Sequence, residues 1–566
     1  TRSVHGLPVI EHAEFGRNAP VETINEQDRM ELGRIYHMGQ AEATKLFLDR
    51  QAMTSHTFVT GSTGTGKSNA VYHLLDEITK NGQTTFLVVE PAKGEYKNVF
   101  GNCTDVQVFG TNPRETPLLR MNPFAFPENI HILEHIDRLV EIFNACWPMY
   151  AAMPAVLKDA IERSYQKVGW DLRNSESEKG VFPTFFDLLD ILPGVIEESH
   201  YSKDTQSDYV GALCTRVKSL TNGIYGSVLC AEDALMDEAL FDRNVIVDLS
   251  RVGSMETKSL LMGILVMKLQ EYRMCSSGMN SRLRHVTVLE EAHNLLRKTS
   301  AEQSQEGANL QGKSVEMLAN AIAEMRTYGE GFIIADQAPG LLDMSVIRNT
   351  NTKIILRLPD EEDRKLVGKS AALKEAQIDE LSKLPLGVAA VYQNEWPEAV
   401  LCKIEAYPMP ENAVYHKPSK MPHEINAEFV FGQLAVGKEL EPLSSSEMEQ
   451  LKLWLKRHET VLKPEDSRYL ERVFAGGELD VAKTRKAVFD FFGGIGTVVD
   501  YCVAAEKSLT PRKELLEQLQ GQYGLKAAVA DWVLNSVISM GMSLNPDAKA
   551  VENLRTNFEQ QGGRVL

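Results

Sequence analysis

The stretch GSTGTGKS, residues 61–68, contains the residue types that bind a phosphate chain. It matches the pattern G-x-x-x-x-G-K-[ST] in full, through Gly61, Gly66, Lys67 and Ser68. Glycines let backbone N–H groups curl around a β-phosphate, the lysine places its charge on the β- and γ-phosphates, and the serine hydroxyl is a ligand for Mg²⁺. A glycine-rich turn with a chance lysine is the alternative, but an apolar stretch before the loop and a helical pattern after it favour a phosphate-binding loop. The other loop residues that we predict to contact nucleotide are Thr63, Gly64, Thr65 and Asn69.

A second motif, HVTVLEEAH, ends an apolar stretch in two carboxylates. Phosphoryl transfer to water needs one carboxylate near Mg²⁺ and one that polarises the attacking water. We assign Glu290 to the metal, together with Ser68, and Glu291 to the water. Two solvated glutamates at a strand end are the alternative, which the phosphate-binding loop makes less attractive. The pattern normally has Asp first, so Glu290 leaves the metal geometry open but not its acidic role.

Three further residues are placed by their positions at strand ends. Gln337 ends GFIIADQ, where a neutral amide can touch both the γ-phosphate and the water. Arg326 precedes that strand and Arg357 ends TKIILRL, and either can neutralise charge on the transferred phosphate, in its own subunit or a neighbouring one. Surface glutamines and ion-paired surface arginines are common alternatives.

Two strands joined by a helix must position this loop. HTFVTG and TTFLVVEP are apolar and rich in β-branched residues, and NAVYHLLDEITKNG between them has helical spacing, which together predict a βαβ unit with a parallel sheet. Strand patterns return in NVIVDLS, RHVTVLEEA, GFIIADQ, TKIILRL and GVAAVYQ, separated by helical patterns. The sequence therefore predicts an α/β fold with a mainly parallel sheet.

The chain of 566 residues is too long for one domain. We expect an N-terminal entry segment over 1–45 with little strand periodicity, and an ATPase core over 46–420. Apolar spacings of three and four predict a helical insertion at about 130–240, and a C-terminal helical domain over 421–566. Within that domain, TPRKELLEQLQG has Pro at the first helical position and Gly at the end.

Composition limits the classes of protein. A net charge of −18 argues against a protein whose whole surface coats nucleic acid, although a local basic groove or pore remains compatible with it. Seven scattered cysteines without a C-x-x-C pair fit reduced thiols in the cytoplasm. The apolar stretch SLLMGILVMKLQ is broken by Lys268, which predicts a buried helix and no membrane partner.

The order of GSTGTGKS, VVEPAKGEY, VTVLEEAHNLL, RTYGEGFIIADQAP and NTNTKIILRLPDEED resembles the HerA/FtsK superfamily of P-loop ATPases, most closely the bacterial HerA-like proteins. The resemblance covers about residues 35–410 without most of the insertion. It implies a RecA-like core and a homo-oligomer, usually a hexameric ring, that pulls double-stranded DNA through a central pore. It also implies ATP and Mg²⁺ as cofactors, Lys67 and Glu291 as catalytic groups, Gln337 as sensor and Arg326 as arginine finger.

Two features depart from the resemblance. Glu90, in VVEPAKGEY, stands where the family often has Asp, and we expect it near the nucleotide. The small β-barrel that usually precedes the core is expected to be missing or cut away, because only about 50 residues come before the core strand.

Several functional alternatives follow. The first is a DNA translocase or helicase that works with an effector, such as a nuclease or a sirtuin-like NAD-consuming enzyme, in antiviral defence. The second is a regulatory or scaffold ATPase that organises and switches an effector, and a third is a secretion or conjugation motor, which would need a membrane partner. The polar segment containing Arg297 and Lys313 is either a pore contact or a surface loop. The stretch TPRKELLEQLQGQYGLKAAVADWVL is either a DNA-binding helix-turn-helix or a helix pair that braces an oligomer.

Overall fold

The computed structural model describes residues 12–19, 21–150, 152–177, 181–231, 234–299, 305–393, 395–409, 414–417, 430, 434, 451, 464–474, 480–508, 510–523 and 527–565. For residues 305–309, 464, 467, 521–523 and 527–529 it describes the backbone alone. The chain divides into two compact units, Thr1–Lys417 and Pro418–Leu566.

The strands of the first unit are β1 (Arg29–His37), β2 (Gln40–Asp49), β3 (Thr57–Thr60), β4 (Thr85–Glu90), β5 (Val106–Gly110), β6 (Trp170–Asp171), β7 (Glu176–Ser177), β8 (Asn244–Asp248), β9 (His285–Glu290), β10 (Glu330–Asp336), β11 (Thr352–Ile355), β12 (Val388–Tyr392) and β13 (Val400–Lys403).

Its helices are α1 (Lys67–Thr79), α2 (Tyr96–Phe100), α3 (Ile132–Cys146), α4 (Met153–Lys167), α5 (Phe185–Glu198), α6 (Lys203–Tyr209), α7 (Thr215–Thr221), α8 (Gly223–Leu229), α9 (Asp237–Phe241), α10 (Met255–Ser276), α11 (Gln305–Glu324), α12 (Met344–Arg348), α13 (Glu361–Ser370) and α14 (Glu375–Glu380).

Among the described residues, eleven strands form one sheet in the order β2-β1-β13-β12-β11-β3-β10-β9-β4-β8-β5. From β11 to β5 all neighbours are parallel, whereas β12, β13, β1 and β2 continue the sheet as antiparallel strands. The carboxyl ends of β3, β10 and β9 meet at one edge, because Asp336 pairs with Thr60 and Ala335 with Glu290. This edge carries the loop, the sensor position and the acidic pair side by side.

The predicted α/β fold with a mainly parallel sheet is confirmed. A strand lies within every segment that the sequence predicts as one, and the apolar stretch around Lys268 is the buried helix α10.

Residues 29–49 differ from the prediction. The sequence analysis expects little strand periodicity up to residue 45, but β1 and β2 form a hairpin there, and β2 crosses that limit. Two register shifts, at Glu31/Gly33 and Arg34/Tyr36, break the alternation along β1. A bulge moves the following side chains to the other face, so the period of two is lost from the sequence pattern.

The insertion between β5 and β8 is helical, as its spacing predicts. It contains α3 to α9 and, in addition, the two-residue strands β6 and β7, which pair with each other and not with the main sheet. The strands β5 and β13 were not predicted, because both are short and lack a clear alternation.

The second unit is helical in its described part, with α15 (Pro464–Phe474), α16 (Val481–Phe491), α17 (Gly494–Lys507), α18 (Pro511–Tyr523), α19 (Ala527–Leu544) and α20 (Ala548–Gln560). Pro511 is the first residue of α18 as predicted, but the helix continues two residues past Gly521, where we expected its end. In the described part of the chain, no single helix is long and apolar enough to cross a membrane. The pair α16 and α17, bent by 64°, meets that criterion by length and composition only. The predicted domain limit at residue 420 lies outside the described residues.

Candidate active site

The loop between β3 and α1 adopts a backbone conformation that depends on glycine. Gly64 has φ +77° and Gly66 has φ +105°, both in the left-handed region that favours glycine. Thr65 closes the turn, since its N–H and its hydroxyl both donate to the carbonyl of Ser62, at 3.2 and 2.7 Å. The loop therefore delivers its N–H groups and the first turn of α1 to one point, the arrangement that binds phosphate.

Gly61 is required by packing. A Cβ atom there would lie 2.7 Å from the Cβ of Leu356 and 2.7 Å from the hydroxyl oxygen of Thr65. Both distances are shorter than van der Waals contact, so any larger residue displaces the loop from β11. The conformation of the loop thus fits the phosphate chain that the sequence predicts.

Lys67 joins the loop to the acidic strand end. Its Nζ lies 3.0 Å from Oε2 of Glu290 and 3.2 Å from Oε1 of Glu291. Burial lowers the pKa of Lys67, but the two carboxylates outweigh burial and leave that pKa raised. Tyr96 donates its hydroxyl to Oε1 of Glu290 at 2.5 Å. The predicted lysine and both predicted glutamates therefore meet at one place.

Glu291 is held in an uncommon conformation at the end of β9. It has φ +45° and ψ +51°, which a residue with a Cβ rarely adopts. Such strain often marks active sites. Its Oε2 atom is buried and accepts no hydrogen bond from the described residues. An unsatisfied buried acceptor beside a phosphate-binding loop suits a carboxylate that receives the proton of a water molecule.

Gln337 contacts the loop directly. The hydroxyl of Thr63 donates to its Oε1 at 2.9 Å, and both side chains are exposed. Since β10 lies between β3 and β9, Gln337 stands between the phosphate-binding loop and the acidic pair. This is the position that the sensor assignment requires.

Asp336 links the two loops of the site, and the sequence analysis missed it. Its Oδ2 accepts the backbone N–H of His293 at 2.8 Å and the His293 ring nitrogen Nδ1 at 2.9 Å. Its Oδ1 accepts the N–H of Ala338 at 2.9 Å. Asp336 is fully buried, and its hydrogen bond raises the pKa of His293. One carboxylate thus fixes the loop after Glu291 and the loop after Gln337.

A cleft of about 660 Å³ opens above these groups. Its walls are Ser62, Thr63, Gly64, Gly66, Lys67, Ser68, Asn69, Pro91, Ala92, Lys93, Met255, Lys258, Glu291, His293, Asn294, Gln337 and Leu386. A cleft of this volume accommodates a ligand of nucleotide size.

Comparison with known proteins agrees with this geometry. The family model described as "Helicase HerA, central domain" matches residues 30–266. The DNA double-strand break repair helicase HerA of Sulfolobus acidocaldarius is 25% identical over 67% of this chain and 71% of its own. A probable helicase of Methanocaldococcus jannaschii is 22% identical over 70% of this chain and 76% of its own.

The chain thus contains a region of the HerA central-domain type and resembles the HerA-like P-loop ATPases of the HerA/FtsK superfamily. Its fold is also similar to that of VirB4 of Thermoanaerobacter pseudethanolicus, with a TM-score of 0.52, 19% identity, and 68% of this chain and 98% of that one covered. As an enzyme, the HerA-like protein hydrolyses ATP.

The two predicted arginines lie at opposite edges of the HerA-like core. Arg357 is exposed just after β11, at the edge of the phosphate-binding loop, and its carbonyl accepts the N–H of Ser62 at 3.0 Å. Arg326 is exposed before β10, at the other edge, where its charge acts on the buried His56. Six residue steps along β10 separate the two edges by about 20 Å. Arg326 therefore does not meet the phosphate-binding loop of its own subunit.

Glu90 and Asn69 make structural contacts. The carboxylate of Glu90 is buried and accepts the N–H groups of Glu95 and Tyr96, at 2.7 and 3.1 Å, and it does not line the cleft. Asn69 lines the cleft, but its amide bonds the backbone of the segment that follows β13. Burial raises the pKa of Glu90 to about 7, against the effect of the two N–H groups.

Of the two predicted metal ligands, Ser68 lines the cleft and Glu290 does not. Glu290 is buried, and its carboxylate accepts from Lys67 at 3.0 Å and from the hydroxyl of Tyr96 at 2.5 Å. Glu291, His293 and Asp336 also have ligand atoms within 4.8 Å of one another. The ion pair between His293 and Asp336 accounts for that second group without a metal.

Proposed function

We propose that this HerA-like ATPase is a ring-forming DNA translocase or helicase that uses ATP with Mg²⁺. The observation that supports its chemistry best is the meeting of Lys67, Glu290 and Glu291 at the end of the glycine loop. Lys67 neutralises the phosphate chain, and Glu291 receives the proton of the attacking water through Oε2, which accepts no hydrogen bond from the described residues and lies 3.6 Å from the ring nitrogen Nδ1 of His293. Ser68 and Glu290 would hold Mg²⁺, which would neutralise charge on the phosphate oxygens when bound. Gln337 orients the water from the side of Thr63.

The position of Arg326 supports an oligomer. About 20 Å of β10 separates it from its own phosphate-binding loop, so a role as arginine finger requires the loop of a neighbouring subunit. Its guanidinium makes no ion pair with another described residue. Arg357, at the loop's own edge, is the arginine available within one subunit. We propose a hexameric ring on this basis and on the family resemblance.

The working substrate that we propose is double-stranded DNA in the pore of that ring. Relatives named as DNA repair helicases support it. The net charge of −18 restricts DNA contacts to local basic surfaces and favours protein partners elsewhere. We further propose an effector partner, a nuclease or a sirtuin-like NAD-consuming enzyme, in a cytoplasmic antiviral system.

ATPase activity with and without duplex DNA tests the proposal. DNA should stimulate turnover at about 50 mM salt and lose most of that effect by about 200 mM, because phosphate contacts release counterions. The Lys67→Ala variant should show no turnover under either condition and serves as the blank. ATPase activity that is indifferent to DNA at every salt concentration would instead support the alternative, a scaffold ATPase that switches an effector without translocation.

A further inference from the structure

A second cleft of about 660 Å³ lies beside the nucleotide cleft, along the edge of the same parallel sheet. The loops after β4, β5 and β8 form it, together with the first turn of α2 and the segment 414–417. It shares Ala92 and Lys93 with the nucleotide cleft, so these two residues form a wall between the clefts. None of the catalytic groups described above lines it.

Its charge is opposite to that of the chain. Among the described residues, five cationic side chains line this basic cleft against one carboxylate, Glu115, whereas the protein as a whole carries −18. The five are Lys93, Lys97, Arg114, Arg251 and Lys417. Crowding like charges is costly unless a ligand or counter-charge offsets it. Acidic residues outnumber basic ones in the chain, yet the described part of it contributes a single carboxylate to this surface.

The single carboxylate fixes two of the cations in place. Glu115 accepts from Arg251 at 2.6 Å and from Lys97 at 3.1 Å, and these hydrogen bonds lower the pKa of Glu115. Lys97 is also paired with the buried Asp248 at 2.6 Å. The cations near Glu115 are therefore held before any ligand arrives, which reduces the entropy cost of binding.

The remaining cations are available to a ligand. Arg114 is exposed, and its guanidinium makes no hydrogen bond or ion pair with the described residues. Lys93 is exposed and lies 3.7 Å from Glu95, a weak surface contact. Lys417 is exposed, and its one partner among the described residues is the carbonyl of Pro113.

The chemistry of the walls selects phosphate esters. Guanidinium groups bind phosphate oxygens in pairs, and ammonium groups add point charge. The cations come from four separate segments and do not converge on one glycine loop, so they suit phosphates spread along a ligand. Among the described residues, the rings that line the cleft are those of the half-buried Tyr415 and the exposed His416, so cations outnumber the surfaces on which a base can stack.

We propose that this basic cleft is a second binding site for phosphate esters, separate from the nucleotide cleft. Two sources share that chemistry: the phosphodiester backbone of a nucleic-acid strand, and a free phosphate compound. The first source rests on the DNA substrate proposed above, and the second does not. Arg114 and Arg251 are the side chains that we substitute to test binding of either ligand.

The test compares wild type with the double variant Arg114→Gln/Arg251→Gln. A matched control, Arg34→Gln/Arg173→Gln, removes the same charge from two other exposed positions. The probes are a labelled oligonucleotide duplex, titrated at several salt concentrations, and inorganic pyrophosphate, titrated by calorimetry. Binding of a fluorescent ATP analogue should be the same in all three proteins, which shows that the nucleotide cleft is intact.

Two results support the proposal. A backbone site predicts at least tenfold weaker binding of the duplex oligonucleotide in the double variant and a salt slope smaller by about 1.8, since two phosphate contacts are lost. A free-phosphate site predicts two pyrophosphate sites per chain in wild type and in the control, and one in the double variant. If both probes bind the double variant as they bind wild type, or if wild type binds pyrophosphate at one site and no oligonucleotide, the proposal is wrong.

The DNA dependence of ATPase activity in the same preparations separates the two proposals. If DNA stimulates the ATPase and the double variant binds both probes as wild type does, the translocase proposal is supported and the proposed phosphate-ester site is wrong. If the double variant loses one pyrophosphate site and DNA does not change the ATPase activity, the phosphate-ester site is supported and the translocase proposal is wrong.

Discussion

At the scale of single residues, the site combines groups that the sequence identifies with groups that only the structure identifies. Lys67, Glu291 and Gln337 come from short motifs whose chemistry is readable from residue type and spacing. Asp336 and the left-handed backbone of Glu291 do not, because burial and backbone angles have no local pattern in a sequence. For Glu90 the sequence predicts too much. Its place at the end of an apolar strand suggests a nucleotide contact, but its carboxylate accepts two backbone N–H groups instead.

Glu90 gives a pH dependence of stability. Burial raises its pKa from 4.5 to about 7, so between these values the folded protein holds a proton that the unfolded chain has lost. Stability contributed by this group is therefore lost as the pH rises through that window, up to roughly 3 kcal/mol in all. The Glu90→Gln variant cannot titrate, so its free energy of unfolding relative to wild type should increase by about that amount from pH 4.5 to 8.

Urea unfolding at several pH values measures this difference. Glu22→Gln, at an exposed position, is the control and should keep a constant offset from wild type. An offset for Glu90→Gln that does not change with pH would contradict the raised pKa.

At the scale of elements, the sheet order explains the site. β10 lies between β3 and β9, so one strand brings Gln337 to the loop and Asp336 to the turn after Glu291. The sequence predicts these strands because each is a short apolar stretch with a polar end. It does not predict β1 and β2, where bulges hide the alternation, or the sheet order, which depends on contacts between residues far apart in the chain.

Asp336→Asn tests the link between the two loops. The amide keeps an acceptor for Ala338 but places an NH₂ group against the N–H and ring nitrogen of His293, so the turn that carries Glu291 is released. We expect kcat to fall about tenfold and the affinity for ATP to change less than twofold, with roughly 1–3 kcal/mol of stability lost. Steady-state ATPase kinetics and titration with a fluorescent ATP analogue measure the two effects separately.

Asp343→Asn is the matched control, since Asp343 caps α12 through the N–H of Ser345 and does not line the cleft. It should lose stability without losing kcat. Equal kcat for Asp336→Asn and wild type would show that Asp336 supports the fold alone.

At the scale of the whole molecule, the proposed role of Arg326 as an arginine finger requires a second subunit. Lys67, Glu291 and Gln337, which we predict to be the phosphate-binding lysine, the water-activating carboxylate and the sensor, line one cleft, but Arg326 is at the far edge of the sheet. The family resemblance predicts the ring, whereas composition and spacing do not, because an interface between identical chains has no local signature in the sequence. The helical second unit was predicted as helical; its role stays a prediction, with DNA binding and oligomer bracing as the alternatives.

Mixing two inactive variants tests the central claim most directly. Glu291→Gln removes the carboxylate but keeps Arg326, and Arg326→Ala removes the arginine but keeps Glu291. Each alone should lose about 10²-fold or more of its ATPase activity. In an equal mixture that reassembles at random, about a quarter of the sites have an intact Glu291 facing an intact Arg326, so turnover should return to about a quarter of wild type. Full turnover by Glu291→Gln alone, or a mixture as inactive as its parts, would contradict the account.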